Sequence, residues 1–143
     1  MFSKTCEYAI RAMIFIAQKS GEGERVGIKD IAKGIEAPEH FIAKILQELG
    51  RNNLVLSVKG PNGGFYHDGE SAQSSLADIV KTIDGDKIFS GCGLGLKQCS
   101  ESHPCPIHHE FKKVRGSIQR MLEKARISTL TRELEQQFTF SKR

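Results

Sequence analysis

The stretch that decides the fold covers residues 28–50, IKDIAKGIEAPEHFIAKILQELG. Its first part predicts a short helix that ends at Gly34. Pro38 suits the first position of a second helix. In that helix apolar residues recur three and four positions apart, at Ile42, Ile45, Leu46 and Leu49. Two helices joined by a tight turn have the outline of a helix-turn-helix.

A β-hairpin is predicted directly after this motif. Residues 54–58 and 65–67 are rich in strand-forming side chains, and residues 60–64, GPNGG, supply the turn between them. A hairpin that follows a helix-turn-helix is the order of elements in a winged helix. The predicted fold class is therefore mainly α with a small β-hairpin, in the form of a winged helix-turn-helix.

The helices around the motif differ in how much of their surface is apolar. The first, from Thr5 as N-cap to Lys19, is apolar almost all round and is expected to be buried. Another begins at Ser75, which forms a predicted capping box with Asp78. A short helix over residues 129–137 follows later, and residues 138–143 are expected to be a frayed tail.

A long C-terminal helix is predicted from Pro106 to Arg126. Its apolar residues alternate in steps of four and three: Ile107, Phe111, Val114, Ile118, Met121 and Ala125. Such a narrow seam is typical of a helix that pairs with a second copy of itself, so a homodimer is expected. The alternative is that this helix packs back onto its own domain.

Composition restricts the classes of protein. The 143 residues suit one domain, and the net charge of +4 favours a polyanionic partner without locating its surface. No apolar run could span a membrane, and the N-terminus lacks the pattern of a signal peptide. We therefore expect a cytoplasmic protein without a membrane partner, in which clustered cysteines act as metal ligands or redox groups.

Residues 91–110, GCGLGLKQCSESHPCPIHHE, hold such a cluster: Cys92, Cys99, Cys105 and His108. The spacing matches neither the close pairs of structural zinc sites nor the runs of ferredoxins. Thiolates favour an iron–sulfur cluster or zinc, and a thiol switch or no metal are further alternatives. A catalytic pair of Cys105 and His108 would lack an orienting third group, so no enzyme is expected.

Three segments together carry a family resemblance: CEYAIRAMIFIA from residue 6, VKGPNGGF from residue 58, and the cysteine segment with its CPIH. They resemble the winged-helix iron–sulfur transcription regulators of bacteria, the IscR/NsrR family, over residues 1 to about 135. The resemblance implies a repressor that binds double-stranded operator DNA as a homodimer, paired through the helix from Pro106 to Arg126. Some members carry a [2Fe–2S] or [4Fe–4S] cluster in the cysteine segment, and others carry none.

The resemblance also implies the ligands and the DNA contacts. Cys92, Cys99, Cys105 and His108 would hold the cluster, with Glu7 as the alternative fourth ligand and His103 and His109 behind it. His40, Phe41 and Ala43 on the second motif helix and Lys59 in the wing would contact DNA. From the residues themselves, Phe41 suits a thymine methyl or the edge of the core, and Lys44 and Lys59 suit phosphate. Relative to one member of the family, Ala43 replaces a glutamate and Lys59 replaces an arginine, so that member's operator sequence does not transfer.

The predicted organisation has three parts: a DNA-binding domain over residues 1–83, a cysteine-rich loop over 84–105, and a dimerisation helix with a short C-terminal helix over 106–138. The predicted function is a dimeric regulator that senses redox, nitric oxide or iron–sulfur status through the cluster. One alternative is a cluster-free regulator of the same fold, controlled by a partner protein or a ligand. The other is a redox or metal-carrying protein that does not act on DNA.

Overall fold

The computed structural model describes residues 1–137 as a mainly helical chain with one hairpin. The predicted tail, residues 138–143, lies outside the described residues. The elements follow in the order α1 (Lys4–Gly21), α2 (Ile28–Ile35), α3 (Glu39–Arg51), β1 (Leu56–Val58), β2 (Gly64–Tyr66), α4 (Leu76–Asp84), α5 (Lys87–Ser90), α6 (His108–Lys124) and α7 (Ile127–Gln137).

Helix α1 lies at the centre of the fold, as its apolar surface predicts. It contacts α2, α3, α4, α7 and β2. Its fully or almost fully buried residues are Cys6, Ala9, Ala12, Met13, Ile14 and Ile16. The N-cap is Ser3 rather than the predicted Thr5, because the extended backbone at Ser3 lets its hydroxyl accept the Cys6 N–H at 3.0 Å.

The helix-turn-helix is formed by α2 and α3. Helix α2 runs one residue past the predicted end at Gly34, and Glu36 takes the left-handed position, with φ of 55°. Gly34 stays inside the helix, where a Cβ atom would lie 2.3 Å from the Phe15 ring. Helix α3 starts one residue after Pro38, which serves as its N-cap. The predicted stripe is buried at Ile42, Ile45, Leu46 and Leu49.

The wing is the antiparallel pair β1 and β2. Strand β2 ends before the predicted His67, because the His67 backbone N–H donates to the Ser20 hydroxyl at 2.9 Å instead of to a strand. The other edge of β2 pairs with Val26: the Val26 N–H donates to the Phe65 carbonyl at 3.1 Å, and the Phe65 N–H donates back at 2.7 Å. The wing is thereby fastened to the loop that precedes α2.

The C-terminal half of the described chain contains the helices α4 to α7. The predicted capping box at the start of α4 is confirmed, with the Asp78 N–H 3.1 Å from the Ser75 hydroxyl. Helix α5 interrupts the segment predicted as a loop. Helix α6 packs on α4 and α5 and buries Leu122, and α7 lies against α1. In residues 1–137 no helix combines the length and the apolarity that crossing a bilayer requires.

Gly64 tests how the wing is attached. Its φ is +139°, and a Cβ atom there would lie 2.9 Å from the backbone of Val26. We expect Gly64→Ala to lower the free energy of unfolding by about 1–3 kcal/mol, because both the backbone and the Val26 pairing must shift. Gly50→Ala is the control, since its Cβ meets open space in α3 and is expected to stabilise the chain by about 0.5–1 kcal/mol. Urea unfolding measures both, and equal effects of the two substitutions would contradict this account.

Candidate metal centre and nucleic-acid interface

The fold brings the three cysteines of the segment together. The sulfur atoms of Cys92, Cys99 and Cys105 lie within 4.8 Å of one another. Cys92 Sγ and Cys105 Sγ are 3.7 Å apart, and all three thiols are free and half-buried. Three converging sulfur donors are the ligands that soft metals and iron–sulfur clusters use.

His108 joins this group from the first residue of α6. The backbone N–H of His108 donates to the Cys105 carbonyl at 3.0 Å, which turns the chain from the loop into the helix. The ring is 9% exposed, and its Nδ1 atom lies 3.3 Å from Cys99 Sγ. A nitrogen donor therefore lies beside one of the three sulfur donors.

Backbone N–H groups in the loop also point at sulfur. The Leu94 N–H donates to Cys92 Sγ at 3.4 Å, and the Cys105 N–H donates to Cys99 Sγ at the same distance. The Leu96 N–H, followed by that of Leu94, lowers the pKa of the Cys92 thiol to about 7. At Cys99 the Cys105 N–H lowers the pKa of the thiol. Desolvation and the neighbouring thiols together raise this pKa by more, so the net shift is upward.

The first residues of the cysteine loop are attached to α6. Arg115 Nη1 donates to the Gly91 carbonyl at 2.6 Å. A Cβ atom at Gly93 would lie 2.9 Å from both Ile107 and the Phe111 ring, so the backbone passes close to the start of the helix. These contacts hold the Cys92 end of the loop near the end that carries Cys105.

The remaining candidate ligands lie differently. Glu7 is paired with Lys4 at 3.7 Å, and in residues 1–137 it is not among the donors that converge at the cysteines. His103 Nδ1 is 3.2 Å from the Ser102 hydroxyl. His109 belongs to a second group of possible donors, with His108 and Glu101, whose ligand atoms also lie within 4.8 Å of one another.

Glu101 is a residue that the sequence analysis does not single out. Its Oε1 atom is 3.4 Å from His108 Nε2, and it also pairs with Lys112 on α6. Lys112, followed by His108, holds the pKa of the Glu101 carboxyl below its ordinary value. The sequence offers only an indirect signal for Glu101. Lys112 follows His108 by four residues, so both side chains lie on one face of a helix, where one carboxylate can reach both.

The fourth cysteine has a structural position. Cys6 is fully buried in a cluster with Ala77, Val80 and Leu122. Desolvation, followed by the nearby Asp84 carboxylate, raises the pKa of its thiol to about 12. Cys6 is therefore an inert part of the core, as expected for a small residue on the first helix.

The predicted DNA-contacting side chains are accessible. His40, Phe41, Ala43 and Lys44 lie exposed in the first half of α3, and Lys59 lies exposed at the hairpin turn. The Phe41 ring stacks against His40 with centroids 4.5 Å apart and reaches Tyr8 of α1 at 6.4 Å. It remains 41% exposed, so its free face is available to a thymine methyl.

Arg25 is a further basic side chain at the wing that the sequence analysis does not identify. Its guanidinium lies 5.3 Å from the centre of the Tyr66 ring, and Nη1 donates to the Asn62 carbonyl at 3.4 Å. Arg25 is far from the hairpin in the sequence, and only the pairing of Val26 with Phe65 brings it there. Together with Lys59 it gives the wing positive charge, which suits a phosphate backbone.

Comparison with known proteins agrees with this architecture. The sequence profile of the Rrf2 family, described as iron-dependent transcriptional regulators, matches residues 2–133. A helix-turn-helix transcriptional regulator of Aquifex aeolicus is 33% identical over 121 residues, which are 83% of either chain. The regulator NsrR of Oceanobacillus iheyensis is 25% identical over 134 residues, 93% of this chain and 90% of that one.

Two solved structures share the fold over nearly the whole chain. CymR of B. subtilis, its global cysteine regulator, superposes with a TM-score of 0.77 at 22% identity, covering 93% of this chain and 97% of CymR. IscR of T. potens superposes with a TM-score of 0.74 at 25% identity, covering 96% and 91%. The predicted winged helix fold is thereby confirmed.

The shifted thiol pKa values predict a reactivity order in the metal-free, reduced protein. The thiolate is the nucleophile, so the rate at which iodoacetamide modifies Cys92 should rise through about pH 7 and level off above it. Cys6 should stay unmodified at the same pH, because it is buried and its pKa is raised to about 12. Peptide mass spectrometry measures both rates. A midpoint for Cys92 near the ordinary thiol value of 9.0 would contradict the loop geometry.

Lys59 tests the wing. We expect Lys59→Ala to weaken binding to all DNA sequences and to reduce the slope of log affinity against log salt by about 1, because one phosphate contact is lost. Lys124→Ala removes the same charge from the exposed end of α6 and should leave the slope unchanged. Fluorescence anisotropy with a fragment selected from random DNA measures the slopes. A slope for Lys59→Ala equal to that of Lys124→Ala would count against a phosphate contact by the wing.

Proposed function

The chain belongs to the Rrf2 family of transcriptional regulators, and from this we propose that it is a dimeric DNA-binding repressor that senses through an iron–sulfur cluster. The family and the relatives establish that the function is transcriptional regulation rather than enzymatic catalysis, as the sequence predicts. The proposed part is the sensor. Cys92, Cys99, Cys105 and His108 would hold the cluster, and the stimulus would be redox, nitric oxide or iron–sulfur supply.

One observation carries the proposal: the sulfur atoms of Cys92, Cys99 and Cys105 converge, and the His108 Nδ1 atom lies beside Cys99 Sγ. The donor set fits an iron–sulfur cluster, since such clusters take thiolate ligands and accept histidine in place of cysteine. Backbone N–H groups directed at Cys92 and Cys99 sulfur are of the kind that tunes a cluster's potential. When bound, the cluster supplies a centre that reacts with oxidants or nitric oxide. Zinc is the second metal that the same donors suit.

The loop is well placed to influence the DNA-binding half. It starts at the end of α4, where the Asp84 carboxylate accepts from the Ser3 backbone N–H at 3.1 Å and from the Ser3 hydroxyl. Ser3 in turn caps α1. About one and a half turns further along that helix, Tyr8 contacts Phe41 of α3. We propose that a bound cluster orders the loop and, through the start of α1, biases the position of α3.

Helix α6 supplies support for a dimer. One side of it packs on its own chain through the buried Leu122. Another side leaves apolar side chains uncovered, with Val114 50% and Met121 51% exposed. The two alternatives from the sequence, pairing with a second copy and packing on the chain's own domain, thus concern different sides of one helix. We propose that a second copy covers the uncovered side, and two copies would then present two α3 helices to two half-sites.

The sensor proposal is tested by anaerobic purification followed by a visible spectrum and by assays of iron, sulfide and zinc. We expect visible charge-transfer absorption with matching iron and sulfide in the wild type. Cys99→Ser should lose most of both, because it removes a ligand next to His108. Cys6→Ala, which changes the cysteine outside the centre, should keep both. A colourless wild type without iron would refute the cluster but leave the DNA-binding function standing.

The dimer is tested by charge on the uncovered side of α6. We expect Val114→Glu with Met121→Glu to raise the dimer dissociation constant by at least about 100-fold, because both copies would bury unpaired carboxylates. Gln119→Glu adds one carboxylate to the same helix outside the apolar seam and should leave the dimer intact. Light scattering over a dilution series measures the constants. A dimer that tolerates the double substitution would contradict pairing through this surface.

A further inference from the structure

We propose that Glu101 is a positioning residue that fixes His108 as an Nδ1 ligand of the metal centre. The inference rests on the proposed centre at Cys92, Cys99 and Cys105. It adds a residue that takes no part in ligation itself. The two nitrogens of the His108 ring face different partners. Nδ1 faces Cys99 Sγ, and Nε2 faces the Glu101 carboxylate.

The chemistry of imidazole requires such a partner. A neutral ring carries one N–H and one lone pair, so a ring that binds a metal through Nδ1 carries its proton on Nε2. The Nε2 atom of His108 is buried, and in residues 1–137 it has no partner in hydrogen-bonding geometry. The Glu101 Oε1 atom, at 3.4 Å, is the acceptor that faces it. A small rotation of either side chain would make the bond.

Glu101 is itself held in place from the helix that carries His108. Lys112 lies one turn further along α6 and pairs with the same Oε1 atom. The Lys112 contact therefore holds the carboxylate on the side of the ring that carries Nε2. Carboxylate, imidazole and metal in this order form an arrangement in which the outer carboxylate selects the tautomer and makes the ring a better ligand.

A competing arrangement uses the same residues. Glu101, His108 and His109 could together bind a cation directly, and His108 would then use Nε2. Two features favour the positioning role. The Nδ1 atom of His108 already faces a cysteine sulfur, and the Glu101 carboxylate is already paired with the Lys112 ammonium group. A cation at Glu101 would have to displace that ammonium group.

The test is a double-mutant cycle on binding of Co²⁺ by the metal-free, reduced chain under anaerobic conditions. Absorption from sulfur-to-cobalt charge transfer reports occupancy, and competition with a chelator gives the affinity. We expect Glu101→Ala to weaken Co²⁺ binding by about 10–100-fold. It should have no further effect when His108→Ala is already present. Glu110→Ala is the matched control, since Glu110 pairs with Lys113 in an exposed position on the same helix. It should change the affinity less than about 2-fold.

The outcomes separate the inference from the proposal on which it rests. No charge-transfer absorption in the wild type would refute the centre itself. Co²⁺ binding in the wild type with no loss in Glu101→Ala would overturn only the positioning role. So would a loss that persists undiminished in the His108→Ala background, which is the result expected if Glu101 ligates directly. Should Glu101→Ala fail to fold, Glu101→Gln keeps the side-chain shape and carries the same cycle, with a smaller expected loss.

Discussion

The rest of the structure depends on the need to bury α1. Its apolar side chains cover almost its whole circumference, so the helix is stable only when other elements surround it. Helices α2, α3, α4 and α7 and strand β2 all contact it. The winged helix and α7 therefore pack into one core around α1, and a second apolar cluster joins the start of α1 to α4 and α6, the helices on either side of the cysteine loop.

This shared helix also gives the proposed sensor a short path to the proposed DNA contacts. Ser3, at the start of α1, is bound by Asp84 at the entrance to the cysteine loop. Tyr8, only a turn and a half further, touches Phe41 at the start of α3. Under the proposed function, changes in the loop and in α3 would therefore meet within the first turns of α1.

Much of the fold is predictable because it depends on local patterns. The stripe of α3, the all-round apolarity of α1 and the Ser75–Asp78 capping box are signals within one helix. What sequence periodicity does not contain are pairings between distant segments. The bridge from Val26 to Phe65 brings Arg25 to the wing, and the convergence at His108 brings Glu101 to its ring. The left-handed Glu36 and the short helix α5 escape prediction because non-glycine caps and four-residue helices have weak signals.

The candidate centre likewise combines features that local sequence predicts with features that depend on distant contacts. The identities of Cys92, Cys99, Cys105 and His108 are apparent from the sequence, but their spacing is compatible with several metals and with none. The convergence of the three sulfur atoms depends on turns and on the Arg115 contact with Gly91, which no spacing rule describes. The fold does not decide the cofactor either, because the fold is shared by regulators as different as CymR and IscR. What favours a cluster in this chain is therefore its donor set.

The central claim is that the state of the cysteine centre governs DNA affinity. The most direct measurement compares one anaerobic preparation before and after removal of its metal, by fluorescence anisotropy on DNA selected from a random pool by either form. The account predicts that the two forms differ in affinity by at least about 10-fold, a coupling within the range usual for allosteric proteins. It also predicts that Cys92→Ser shows the affinity of the metal-free form throughout. Equal affinity of the two wild-type forms for every selected sequence would contradict the claim.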